Sequence, residues 1–461
     1  MKKPNLLFVF PDEFRQHAMG FRGNDPVITP NIDRLAQESL VLTDAVSNYP
    51  VCSPYRGMLM SGKYPISNGV IGNCNTNVTS YGVYLKQTEK CFSDVLSENG
   101  YEAGYVGKWH LDPPEEPYDY LEPAREGGII WDAFTPPGKR RHGFNFWYSY
   151  GCCDQHFTPH YWTGNSKIES RIDVKNWSVS HEADVVIDYL QNKDGTYRDE
   201  SKPFALFWAP NPPHMPFDEV PDEYVEMYSG KSRHELLVRE NVDHKLQSTN
   251  MDKAINGVKN YFAAVTGVDR QLGRVLQCLE EKGLKDNTIV IFTSDHGEMM
   301  GSHNLMEKSV WYEESFLVPF LLRWPEKIKP GSDKLHLGAP DIMPTLLGMM
   351  GLEKYIPEGV EGENYSDILL NGAGNRPESS FYININVQDQ KAGRRGVRTD
   401  RYTFVIERDR AGSEKRWLFD RDEDSYQMRN IEKEAPDIVS EMCSLLNQWL
   451  VKTRDAWSIE K

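Results

Sequence analysis

Thr288-Ile289-Val290-Ile291-Phe292-Thr293, followed at once by Ser294-Asp295-His296-Gly297, decides the architecture. The six residues carry no polar alternation and are rich in β-branched and aromatic side chains. That is the pattern of a strand buried on both faces, as in a parallel sheet covered by helices. Upstream, Ala254, Val258, Tyr261, Val265, Val268, Leu272, Val275 and Leu279 recur at helical spacing. The spacing predicts one long amphipathic helix over about 253–281, closed by Gly283.

The same grammar extends outward. Asn5–Phe10 (NLLFVF) is another apolar run and stops at Pro11-Asp12-Glu13. Phe92–Asn99 reads as a helix ended by Gly100, and Tyr101–Val106 as a strand running into Gly107-Lys108-Trp109-His110. Phe204–Ala209 (FALFWA) is followed by Asn211-Pro212-Pro213-His214. Helices alternate with apolar strands, and polar clusters fall where strands end. This predicts an α/β fold: a large mixed, mostly parallel sheet between helices, with its site at the carboxyl edge of the sheet. Residues 111–180 are crowded with Pro, Gly and aromatic residues and lack periodicity, which predicts an irregular substrate-loop insertion. From 375 the pattern changes. Phe381–Ile385, Gly396–Glu407 and Arg416–Asp420 read as short antiparallel strands and Ala435–Val451 as a closing helix. The expected division is a catalytic domain over 1–374 and a C-terminal α+β subdomain over 375–461.

The 461 residues carry a formal charge of −16. That balance argues against nucleic acid as a partner, and any anion site must concentrate positive charge locally. Seven cysteines, an odd number, show no short-spaced framework beyond the adjacent pair Cys152–Cys153, so thiols rather than disulfides are expected. No stretch reaches the roughly 20 apolar residues of a membrane span. The run Leu6–Phe10 is too short for a signal peptide and is interrupted by Asp12, Glu13 and Arg15. As written, the chain reads as cytoplasmic, or as periplasmic if a leader was removed before numbering; no oligomeric state is assigned.

The most specific local signal is Cys52-Ser53-Pro54-Tyr55-Arg56-Gly57, a C-x-P-x-R pattern. With NLLFVFPDE, TPNIDRLA, VCSPYRGMLMSGKYP, GYVGKWHL, PNPPHMPF, TIVIFTSDHGEMMGSHNLMEKS, APDIMPTLLGMMGL and LFDRDEDSYQMRNI in that order, the chain resembles the type I sulfatases of the alkaline-phosphatase-like superfamily. The resemblance covers most of the length and points to a bacterial carbohydrate sulfatase. It implies hydrolysis of a sulfate monoester, on a sulfated carbohydrate, to an alcohol plus inorganic sulfate. It also implies that Cys52 is oxidised to formylglycine by a formylglycine-generating or radical maturase enzyme. The hydrated aldehyde is a geminal diol: one hydroxyl attacks sulfur and the other later helps to expel sulfate.

The resemblance further implies one divalent metal on Asp12, Glu13, Asp295 and His296. Oxygen-rich ligation suits Ca²⁺, with Mg²⁺ or Mn²⁺ as alternatives. Two departures stand out: many relatives carry Asp where this chain has Glu13, and His296 softens the ligand set. Arg56 and Lys108 are implied to hold the nucleophile, His110 to act as base on the diol, and His214 with Lys308 to bind sulfate oxygens or assist the leaving group. His303 and Trp162 are expected to touch substrate, Trp162 as one of several aromatic residues of the insertion suited to stacking on sugar. Arg394, Arg395 and Arg398 form a basic cluster that reads in two ways, as a solvated patch, the commoner case, or as a contact for an acidic sugar from the C-terminal subdomain. Two other readings stand beside this one: a phosphonate monoester or phosphodiester hydrolase on the same scaffold, and a non-catalytic binder of sulfated glycans.

Overall fold

The computed structural model describes residues 3–459. Its principal sheet has ten strands. Five neighbours form its parallel centre, in the order Thr288–Thr293, Asn5–Val9, Phe204–Ala209, Glu102–Lys108 and Phe146–Tyr150. Leu6 pairs with Ala205 on one side and Ile289 on the other, and every residue of these three strands is buried. Continuous apolar sequence is therefore required there, since both faces meet helices. One face packs on the 33-residue helix Thr249–Glu281 and on Ser178–Gln191, the other on Cys52–Ser61 and Ala339–Met349. The long helix starts four residues earlier than its apolar spacing indicates, because Ser248 caps it by accepting from the Met251 amide at 3.1 Å.

Two expectations are corrected. The segment 111–180 is not loop alone: Phe146–Tyr150 joins the parallel centre beside Glu102–Lys108, and His160–Thr163 and Ile172–Asp173 extend the sheet. Its aromatic residues hide the alternation because both faces are covered. Gly396–Glu407 is not one strand but the hairpin Gly393–Arg398 and Tyr402–Arg408, closed where the Thr399 amide donates to the Tyr402 carbonyl at 2.9 Å. The polar Thr399-Asp400-Arg401 turn carries the reversal.

That hairpin belongs to a second, four-stranded antiparallel sheet, Ser380–Ile385 through Glu414–Asp420, packed with the helix Pro436–Lys452. All seven cysteines are free thiols. Among the described residues no helix is long and apolar enough to cross a membrane.

Candidate active site

The parallel strands run the same way, so the residues after each of them meet at one edge. Asp12 and Glu13 follow Asn5–Val9, Lys108 ends Glu102–Lys108, Asn211 and His214 follow Phe204–Ala209, and Asp295 and His296 follow Thr288–Thr293. Two glycines permit the approach. A Cβ on Gly107 (φ 99°) would lie 2.3 Å from the Ala209 carbonyl oxygen, and one on Gly297 would lie 1.8 Å from that of Glu314.

Cys52 is the first residue of the helix Cys52–Ser61, two residues before Pro54. Arg56 lies one turn on, on the same face. Its guanidinium donates to Asp295 Oδ2 from both Nε (3.2 Å) and Nη2 (3.0 Å), to Asp12 Oδ2 at 3.2 Å, and to the Lys108 carbonyl. Lys108 Nζ reaches Asp12 Oδ2 at 2.7 Å and Asn211 Oδ1 at 3.0 Å. Cys52 Sγ sits among these groups, 3.3 Å from His296 Nε2, 3.6 Å from Asp12 Oδ1 and 3.9 Å from Lys108 Nζ. All are sealed from solvent. Burial, and then the Asp12 carboxylate, push the Cys52 thiol up to about 12, so the unmodified side chain is a protonated thiol and a poor nucleophile at neutral pH. Burial pulls Asp12 upward, but the Lys108 ammonium, and with it the Arg56 guanidinium, hold the carboxyl well below the usual range.

The hydrogen bonds assign each imidazole's tautomer. His296 Nδ1 faces the Gly297 carbonyl at 3.1 Å, so the proton belongs on Nδ1 and the Nε2 lone pair points to Asp12 and Cys52. His110 Nε2 faces the Cys74 carbonyl at 3.0 Å, which leaves Nδ1 a buried lone pair with no partner among the described residues. His214 Nδ1 faces the Met215 carbonyl at 2.7 Å, while Nε2 receives the Lys308 ammonium at 2.9 Å. Burial, reinforced by nearby cations, holds His110 and His214 well below the ordinary histidine value, which keeps both lone pairs free of protons.

Ligand atoms of Asp12, Cys52, Asp295 and His296 all lie within 4.8 Å of one another, and so do those of Asp12, Glu13 and His214. Asp12 is common to both groups. Two carboxylates and an imidazole lone pair fit a divalent cation, and the Arg56 and Lys108 charges balance the acids. Glu13 is not a solvated loop acid. It is fully buried with a left-handed backbone (φ 65°), and its Oε2 accepts from Lys308 Nζ at 3.1 Å while Oε1 has no partner among the described residues.

The remaining sequence candidates fall elsewhere. Trp162 is 1% exposed, packs with Leu121, Tyr150, Cys153 and Tyr161, and donates its indole N–H to the Ile168 carbonyl. Its part is to hold the insertion together, so the expected sugar contact is corrected. His303 stacks on Tyr312 with ring centroids 3.7 Å apart and braces its loop through the Asn241 carbonyl. Arg395 and Arg398 are interior: the first pairs with Asp455, the second with Glu313 and Asp44.

Sequence reasoning missed two features. Asn211 orients Lys108 while its amide nitrogen donates to the Cys153 carbonyl at 2.7 Å; its position just past a buried strand was the available signal. Ser309, next to Lys308, has φ 75°, donates its amide to the Pro50 carbonyl at 3.0 Å, and accepts at its own carbonyl from Tyr382 (2.9 Å), Asn384 (3.3 Å) and Arg394 (3.3 Å). Those three donors come from the second sheet, so no local signal existed.

A mostly parallel sheet with acids, three imidazoles, two lysines and an arginine gathered near one buried helix-start residue defines a metal-assisted hydrolase of anionic esters, on an alkaline-phosphatase-like scaffold. The sulfatase profile matches residues 4–352, and that of the N-sulphoglucosamine sulphohydrolase C-terminal region matches 301–455. An endo-4-O-sulfatase of Bacteroides thetaiotaomicron is 42% identical, over 99% of this chain and 94% of its own length. An ulvan-active sulfatase of Formosa agariphila is 32% identical, over 98% and 82%. A solved 4S-sulfatase structure from work on metabolism of multiple glycosaminoglycans by B. thetaiotaomicron superposes with a TM-score of 0.92 at 40% identity, covering 99% of this chain and 98% of that one. The chain belongs to the sulfatase family and is a sulfuric ester hydrolase; membership implies a divalent metal and a formylglycine.

Proposed function

We propose that this protein removes a 4-O-sulfate from an amino sugar within a glycosaminoglycan, with Cys52 as the residue converted to formylglycine and Ca²⁺ held by Asp12, Asp295 and His296. The observation that carries the reading is the setting of Cys52: a protonated, buried thiol at a helix start, with His296, Asp12 and Lys108 within 4 Å of its sulfur. The formylglycine diol would supply both the attacking hydroxyl and the hydroxyl that releases sulfate, while the cation would neutralise sulfate oxygens. Glu13 also accepts from Lys308, yet one of its carboxylate oxygens and ligand atoms of Asp12 and His214 stand within 4.8 Å of one another, which keeps it beside the other three as a further ligand.

The chain's own groups divide the remaining work. Arg56 and Lys108 fix Asp12, Asp295 and the nucleophile against one another. The free Nδ1 of His110 is the base for the second step. Lys308, its ammonium held by Glu13 and His214, donates to the leaving oxygen as negative charge builds there, and His214 aims it. Beside this pair lies a cavity of about 710 Å³ lined by Met215, Phe217, Met306, Asp218, Asn256 and Asn260 among others. The apolar Met215, Phe217 and Met306 together with the amides of Asn256 and Asn260 suit a pyranose ring.

The test joins peptide mass spectrometry across Cys52 with assays on 4-nitrophenyl sulfate, a 4-O-sulfated oligosaccharide and a nitrophenyl phosphonate. We expect the aldehyde in active protein, preference for the sulfates, and a folded but inactive Cys52→Ala variant. Activity with Cys52 unconverted, or undiminished in that variant, refutes the assignment.

A further inference from the structure

Lys308 sits in a short segment with a cavity on either side of it in the chain: Met306 lines the pocket proposed for the sulfated sugar, and Ser309 lines a second cavity of about 570 Å³. The two differ in charge. The first carries Glu122, Asp154, Asp218 and Asp252 against Arg125 and Lys253. The second carries Arg394, Arg408 and Arg410 against Glu407 and Asp409, in a chain whose formal charge is −16.

The acids of the second cavity are already engaged. Glu407 pairs with Arg394 at 2.8 Å, and Asp409 accepts the Ala411 and Ser413 amides, each at 2.9 Å. Arg408 pairs with Glu414 at 2.6 Å. Arg410 alone has no carboxylate partner among the described residues; it reaches only the amide oxygens of Asn386 and Gln388. Neutral partners leave its charge uncompensated, and an incoming carboxylate can replace them with charge-assisted bonds. The cavity is also tied to the catalytic lysine. Arg394 and Asn384, two of its lining residues, donate to the Ser309 carbonyl, so a sugar held here is fixed relative to Lys308 through the backbone of Ser309.

We infer that this arginine-lined cavity of the second sheet binds the carboxylate of the uronate neighbouring the sulfated sugar, with Arg410 as its principal contact. The inference rests on the proposed glycosaminoglycan substrate and deepens it. The acid-rich pocket would repel a second anion and so receives the sugar that is uncharged once desulfated, while the charged neighbour lies over the arginines. Only one of the three arginines of the sequence cluster contributes; Arg395 and Arg398 are replaced by Arg408 and Arg410, which the hairpin brings alongside Arg394.

The test compares a 4-O-sulfated, uronate-containing tetrasaccharide with its carboxyl-reduced counterpart. For Arg410→Ala we expect KM on the first to rise about tenfold with kcat unchanged. Rates on the reduced tetrasaccharide and on 4-nitrophenyl sulfate should stay the same, and Arg410→Lys should recover part of the loss. Binding of both tetrasaccharides to Cys52→Ala protein, by calorimetry with and without Arg410→Ala, reads the same contact without turnover. Equal affinity for the two tetrasaccharides, or an Arg410→Ala loss of the same size on both, overturns the inference. If no sulfate ester is hydrolysed, the proposed function fails, yet a carboxylate- and Arg410-dependent affinity would still establish the cavity as an anion site.

Discussion

Glu182 lies beneath the strand ends that carry Lys108 and Asn211, fully buried, and accepts from Tyr161 at 3.0 Å and from the Trp208 indole at 3.1 Å. Burial pushes its carboxyl up to about 8 from an ordinary 4.5, against the pull of its hydrogen-bond donors. Between pH 4.5 and about 8 the native state therefore holds a proton that the unfolded chain has released. Stability falls with rising pH across that window and levels off above it. At about 1.4 kcal/mol per pH unit, the full cost of ionising Glu182 in place is on the order of 5 kcal/mol. Glu182→Gln removes that cost. The amide keeps an oxygen for Trp208, and its NH₂ can donate to the Tyr161 hydroxyl, which rotates to accept. Urea unfolding of both proteins at intervals from pH 5 to 9.5 should give similar stabilities near pH 5 and a variant ahead by several kcal/mol at pH 9. A difference that does not change with pH would refute a protonated Glu182.

Asp295→Ala should lose both the divalent metal, read by elemental analysis, and turnover; full activity without metal would remove Asp295 from the site. Tyr382→Phe deletes one of three donors to the Ser309 carbonyl, worth about 1 kcal/mol. It should lower kcat several-fold at constant KM, more for sugar sulfates than for 4-nitrophenyl sulfate, since only the poorer leaving group depends on Lys308; an equal effect on both would mean that the clamp does not position Lys308. Because His110 and His214 are held below the ordinary histidine value and act as neutral groups, activity should persist below pH 6.5 and fail only as pH drops through their lowered values. An acid limb at or above 6.5 in kcat/KM would contradict that.

The parallel centre was legible because burial on both faces demands uninterrupted apolar runs. Those at Asn5–Phe10, Phe204–Ala209 and Thr288–Thr293 are too short for buried helices and too apolar for an exposed segment. The positions of Asp12, Lys108, His214 and Asp295 followed, since parallel strands bring their carboxyl ends to one edge. Phe146–Tyr150 was not legible: its serine and tyrosines read as loop until a neighbouring strand and a covering face are supplied.

Sequence by itself determined which residue types would gather and the helical step from Cys52 to Arg56, because strand direction and helix pitch are local properties of the chain. Only the tertiary structure decided where those side chains point. Glu13 met Lys308 as well as the Asp12 and His214 groups, the free nitrogen of His110 followed from the Cys74 carbonyl 36 positions away, and Trp162 went inward. It also placed Arg394, Arg408 and Arg410 together beside Ser309. Most of these outcomes depend on contacts between residues tens to hundreds of positions apart, which side-chain pattern along one strand or helix does not encode.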